Sequence, residues 1–208
     1  AQVGFNRRHW PALQMALEWI AEDGQPVQYM RGTKHRTNRI REDYTFYTSS
    51  HVIDTLLCVG GEPIECVTVR TPVPGADDAW NFASAIRFAD GCIAHATALP
   101  HVGFNQEMYE FHTLACAILI NPRWGEHEGA EVCRYEGTKL VRREILPKGD
   151  DRLRTDGFDG QMGAFLNAVR GEGAAYPTVE QCLTTIEICE AVREGRTWRA
   201  AATDNKGT

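Results

Sequence analysis

The sequence predicts an α+β domain: a large, mainly antiparallel open sheet with helices packed on one face. Three observations carry that expectation. Residues 62–147 hold the strand-like runs IECVTV, WNFASAIRF, CIAHATAL, EMYEFHT, CAILIN, AEVCRY and KLVRREIL, separated by turn residues. Asp90-Gly91 and Glu136-Gly137 stand between such runs, where tight antiparallel hairpins need them. Helical spacing is confined to the two ends of the chain, outside that block.

In chain order, residues 1–5 (AQVGF) are short and apolar and read as the last residues of a strand. From Pro11 to Asp23, Leu13, Ala16, Leu17 and Ile20 recur at helical spacing; Pro11 suits the first turn and Gly24 the stop. Residues 26–33 (PVQYMRGT) look like a strand. Lys34, His35, Arg36, Arg39 and Arg41 then form a basic cluster without periodicity. Such a cluster reads first as solvated surface, and it is also a place, at Lys34 and His35, to meet an anionic substrate group.

A helix follows over 50–59, with Ser49 or Ser50 as its cap, Val52, Ile53, Leu56 and Leu57 on an apolar side, and Gly60-Gly61 as its stop. His51, Asp54, Thr55 and Cys58 share another face. In the sheet block, Trp80, Phe82, Ser84, Ile86 and Phe88 alternate with Asn81, Ala83, Ala85 and Arg87, so both faces are expected to be partly covered, one by helices and one by a partner subunit. Two helices close the chain. One runs over 157–170, with Phe158, Met162, Phe165, Leu166 and Val169 on one side; the other, over 179–194, opens with a Thr178/Gln181 capping box. Residues 1–198 are expected to form one substrate-binding and oligomerisation domain, and 199–208 a disordered tail.

Composition excludes several classes. With 22 Lys+Arg against 28 Asp+Glu and a net charge of -6, the chain has no basic surplus for nucleic acid. No run approaches the ~18 consecutive apolar residues of a membrane span, and the chain is expected to be cytoplasmic. The seven cysteines show no zinc-like or disulfide-like spacing, and Cys92, Cys116 and Cys133 sit in apolar or alternating runs as buried thiols do. His95, His101 and His112 lie in strand-like segments without a zinc signature, so no metal is expected. Neither a glycine-rich dinucleotide fingerprint, a phosphate-binding loop nor a serine-hydrolase elbow occurs, so no nucleotide is expected to bind this chain unaided.

His51 is the most informative titratable residue. In the first turn of a helix it would feel the positive end of the macrodipole, which favours the neutral imidazole that accepts a proton. The same position also suits a histidine satisfied locally at a helix start. Asp54, three residues on, can orient the ring, or stand as an exposed helix carboxylate. Tyr47 is by default a packing aromatic.

Three strings in order, VGFNRRHWPAL at 3–13, YTSSHVIDTLLCVGGEP at 47–63, and FDGQMGAFLNAVRGEG with PTVEQCLTTIEICEAVREGR over 158–196, resemble the C-terminal domain of the Gfo/Idh/MocA family. The resemblance implies an α+β domain that follows an N-terminal Rossmann domain, absent from this sequence, and that assembles into homo-oligomers through its open sheet. It implies hydride transfer between a sugar or polyol carbon and NAD or NADP in the full-length parent. His51 matches the motif's histidine, and is assigned as general base; Asp54 matches its later acid. Tyr47 stands where aspartate is common: it can relay a proton or bind a substrate hydroxyl, but at an unperturbed pKa of ~10 it supplies no negative charge. Asp43 is near enough in sequence to restore a carboxylate through an altered register. Asn6, Arg7 and Arg8 fall where the family's chain passes cofactor and substrate, and Arg8 is taken as the substrate contact. The alternative is a non-catalytic binding and assembly domain that kept the fold.

Overall fold

The computed structural model describes residues 1–40, 44–76, 79–123, 129–147 and 152–201. Nine strands form one sheet: β1 (Tyr29–His35), β2 (Pro63–Pro72), β3 (Trp80–Phe88), β4 (Ile93–Leu99), β5 (Gln106–His112), β6 (Ala117–Arg123), β7 (Gly129–Glu136), β8 (Lys139–Pro147) and β9 (Trp198–Arg199). Their order is β8-β7-β6-β5-β1-β4-β3-β2-β9. The β3–β4 and β7–β8 hairpins close at Gly91 and Gly137, both with positive φ, as the sequence predicts. Every pairing is antiparallel except β1 with β4. That exception arises because β1, early in the chain, inserts between two strands that follow one another in sequence.

Alternation then sorts the side chains. Met30 of β1, Ala94, Ala96 and Ala98 of β4, Tyr109 and Phe111 of β5, and Ile118 and Ile120 of β6 are buried on one face. Three helices cover that face: α1 (Pro11–Asp23) over β6 and β7, α2 (Ser50–Gly60) over β1 and β4, and α5 (Val179–Glu194) over β2 and β3. Small residues let α2 lie close: a Cβ on Gly32 would collide with Val52 and press on Leu56. Two further helices, α3 (Arg152–Thr155) and α4 (Phe158–Arg170), lie outside this layer, with α4 against a single 3-10 turn at Asn6–His9. The opposite sheet face bears charge pairs such as Arg31 with Glu110, and partly exposed apolar groups such as Val67 and Val69.

Several local expectations are corrected. Residues 1–5 form no strand; the Val3 N–H donates to the Pro177 carbonyl at 2.9 Å, and the chain turns directly into the 3-10 turn. The strand expected over 26–33 begins only at Tyr29. Neither Ser49 nor Ser50 caps α2, because helical backbone already runs through Tyr44 and a π-helical turn at Thr45–Ser49. The Ser49 hydroxyl instead bonds back to the Thr45 carbonyl at 3.0 Å, and the Ser50 hydroxyl to that of Phe46. At α5, by contrast, the Thr178/Gln181 capping box forms in both directions. The tail is anchored further than expected: Trp198 and Arg199 pair with β2, and the Ala200 N–H donates to the Ile64 carbonyl; residues 202–208 lie outside the described ones.

Candidate active site

The β5 alternation that buries Tyr109 and Phe111 also buries Glu107, so a carboxylate is turned into the helix-covered face. A buried carboxylate needs compensating partners. Lys34, directly opposite on β1, donates to Glu107 Oε2 at 2.6 Å. Arg7 of the 3-10 turn grips the same carboxylate through Nε at 2.7 Å and Nη2 at 3.1 Å. Arg36 adds a bond at 2.9 Å, and the Tyr109 hydroxyl one at 3.2 Å.

The electrostatics follow from that geometry. Burial alone would raise the Glu107 carboxyl, but Arg7, Lys34 and Arg36 together hold it well below its usual range. Lys34 is lowered as well, but here the shift disfavours the charged form: burial, aided by the two guanidinium groups, brings its ammonium down to about 7 despite Glu107. Lys34 was read from sequence as solvated surface or as a contact for an anionic substrate group; it is buried, because strand alternation turns it to the helix-covered face, and its ammonium is bonded to Glu107.

His51 is carried by α2 beside this cluster, with its ring edge-on to Phe5 at 5.7 Å between centroids. Its Nδ1 is buried and has no hydrogen-bond partner. Burial first, then the positive charges of Lys34 and Arg7, lower the imidazole to about 3. The ring is therefore neutral, as the sequence predicts, but for another reason. The helix start lies at least seven residues upstream, so the macrodipole is not the cause.

Asp54 does not orient His51. Its carboxylate accepts from Arg8 Nε at 3.0 Å and Nη2 at 2.8 Å, and from the Thr185 hydroxyl at 3.2 Å, which clamps α2 to the 3-10 turn and to α5. Burial pushes this carboxyl up, and Arg8 and Thr185 pull it back. Arg8 in turn is fully engaged, reaching the Gln181 carbonyl and lying over the Tyr176 ring, so it is a structural tie and not an open substrate contact. His35 also falls away from the site: one residue after Lys34, it points to the opposite sheet face, with Nε2 3.3 Å from the Thr97 hydroxyl. Tyr47, four residues before His51, is 72% exposed. Asp43 lies outside the described residues.

Glu107 joins this cluster without having been singled out, and of the Asn6, Arg7 and Arg8 stretch it is Arg7, not Arg8, that reaches it. One signal for Glu107 was legible: in EMYEFHT it shares the strand face of Tyr109 and Phe111, where an unpaired acid is out of place. Among the described residues no group of three or more His, Cys, Asp or Glu side chains is arranged to hold a metal ion, and no helix is long and apolar enough to cross a membrane.

The open nine-stranded sheet, covered on one face and carrying a histidine-bearing helix across its centre, is the fold of the C-terminal domain of Gfo/Idh/MocA-type dehydrogenases. Similar solved structures include a dehydrogenase from Clostridium difficile (17% identity, TM-score 0.75, covering 93% of this chain and 61% of that one) and a dehydrogenase from Chromobacterium violaceum (14%, 0.78, 94% and 60%). A levoglucosan dehydrogenase in complex with NADH and levoglucosan matches at 19% identity and TM-score 0.73, covering 95% of this chain and 65% of its own. The present chain thus spans less than two thirds of these structures. No family model and no curated protein matches its sequence.

Proposed function

We propose that this chain is the substrate-side domain of an oxidoreductase that moves hydride between NAD or NADP and a sugar, polyol or related hydroxy compound. The observation that carries the reading is His51 Nδ1: a buried, neutral ring nitrogen without a partner, beside three cations gathered on Glu107. An unsatisfied buried ring nitrogen costs about 1–3 kcal/mol, a cost that functional sites bear more often than structural ones.

When bound, the nicotinamide supplies the hydride-accepting carbon. This chain's residues fit the substrate end, since they offer a proton acceptor and no glycine-rich cradle for a dinucleotide. As the substrate's C–H bond breaks with both electrons leaving as hydride, its O–H bond breaks and the proton passes to a nitrogen of the half-buried His51 ring while the carbonyl forms. An imidazole lowered to about 3 is a weak base for that step. The positive field of the Arg7–Lys34–Arg36 cluster, held on Glu107 beside the ring, would favour negative charge developing on the substrate oxygen. In the reverse direction the same nitrogen returns the proton. The open sheet face is proposed to seat a second copy of the chain.

In the full-length parent, His51→Ala is expected to lower kcat by on the order of 10²- to 10⁴-fold with little change in cofactor affinity, the range for loss of a general base. Steady-state kinetics over a panel of sugars and polyols checks this; unchanged turnover removes His51 from the mechanism. A second reading, a binding and assembly domain without catalysis, is favoured by the engagement of Asp54 with Arg8 and the exposure of Tyr47. Cofactor binding without hydride transfer to any member of the panel would establish it.

A further inference from the structure

We propose that Phe5 is the positioning residue of the site, its ring taking the place of the hydrogen bond that ordinarily fixes a working histidine; the inference rests on the hydride-transfer reading above. A histidine that exchanges a proton is usually oriented by a bond from its second ring nitrogen to a carboxylate or a carbonyl. Among the described residues His51 has no such bond: Nδ1 is buried without a partner, and Asp54, one turn on, is taken by Arg8 and Thr185. What the imidazole meets instead is the Phe5 ring, 5.7 Å away between centroids and 87° between planes. That edge-to-face arrangement is one that aromatic pairs prefer, and it restricts rotation of both rings.

Phe5 can act as a fixed wall because its own backbone is tied. Its side chain is buried, its N–H donates to the Val3 carbonyl at 3.0 Å, and its carbonyl accepts from the Arg8 N–H at 3.1 Å. Arg8 then grips Asp54, so the segment from Phe5 to Arg8 meets α2 twice within one turn, at His51 and at Asp54. The apolar ring also keeps water from that side of the imidazole, which disfavours its charged form. Lys34, Arg7 and Arg36 oppose protonation of His51, and Glu107 favours it. Phe5 carries no charge, so its removal leaves that field in place and changes only cover and orientation.

NMR of the full-length parent with carbon-13 at histidine Cε1 tests this, the His51 signal being assigned by its loss in His51→Gln. Between pH 8 and pH 4.5 the wild-type signal is expected not to titrate, whereas in Phe5→Ala its midpoint is expected to fall inside that range. An acid limb in kcat is expected to appear at the same pH in Phe5→Ala, with KM little changed. A His51 signal that stays untitrated in folded Phe5→Ala overturns the proposal whatever happens to kcat, because lost packing alone slows an enzyme without moving that midpoint. Phe5→Leu keeps an apolar cover without a ring face, and is expected to leave the titration in place while lowering kcat by roughly 10-fold through misorientation. If Phe5→Ala does not fold, Phe5→Leu decides, and an unchanged kcat overturns the proposal. A midpoint that moves as expected in a protein transferring no hydride to any sugar or polyol sinks the redox reading alone; an unmoved midpoint in an active enzyme sinks the role of Phe5 alone.

Discussion

At the scale of single residues, the site is made by pairings that bridge long stretches of sequence. Arg7 and Glu107 are 100 residues apart, and Arg8 and Asp54 are 46 apart. The candidate histidine is marked in sequence by a distinctive local string; its surroundings are not, because only folding brings Lys34, Arg7 and Glu107 together. That also explains why adjacent arginines divide their roles, Arg7 to the site and Arg8 to the helix clamp. The neutral imidazole has a measurable consequence. His51 titrates at about 3 in the folded chain against an ordinary 6.5, so between those values the unfolded state binds more protons and stability falls as pH falls. Relative to His51→Gln, the wild type is expected to lose up to about 1.4 kcal/mol per pH unit below 6.5. Denaturant melts of both proteins at pH 7 and pH 5 measure it; parallel losses would show that the ring is not held neutral.

At the scale of elements, the sequence was most readable where local chemistry decides: the Pro11–Asp23 helix, the glycine-closed hairpins and the α5 capping box appear as expected. Thr178→Ala is accordingly expected to destabilise the chain by about 1 kcal/mol, the usual loss for an N-cap, as a shift in denaturation midpoint with unchanged slope. Prediction failed where side chains find partners other than the expected ones. The serines before α2 bond back to preceding carbonyls within a π-helical turn, an arrangement without a sequence signature. The alternation in β3 does separate buried Phe82, Ser84, Ile86 and Phe88 from the more open Ala83 and Arg87. Partial exposure on the second face reflects charge pairs and small side chains, which strand periodicity cannot distinguish from cover by another subunit.

At the scale of the whole molecule, one sheet face is roofed by helices and the other is open, with Val67 and Val69 on β2 and a row of ionic pairs farther along. If a second copy packs there, light scattering of the full-length protein should give a dimer or larger assembly, and Val69→Lys should shift it toward monomer without altering the melt of the helices. The mainly antiparallel architecture was legible from turn spacing; the place of β1 was not, since nothing local tells a strand near residue 30 to lie between two strands from beyond residue 90. That insertion joins two otherwise separate meanders, β2–β3–β4 and β5–β8, through a single early segment. Each meander can zip up from its own hairpins, but the continuous platform beneath the histidine helix exists only once β1 has been captured on both edges, so assembly of the floor under the candidate site should be the slow, last event of folding.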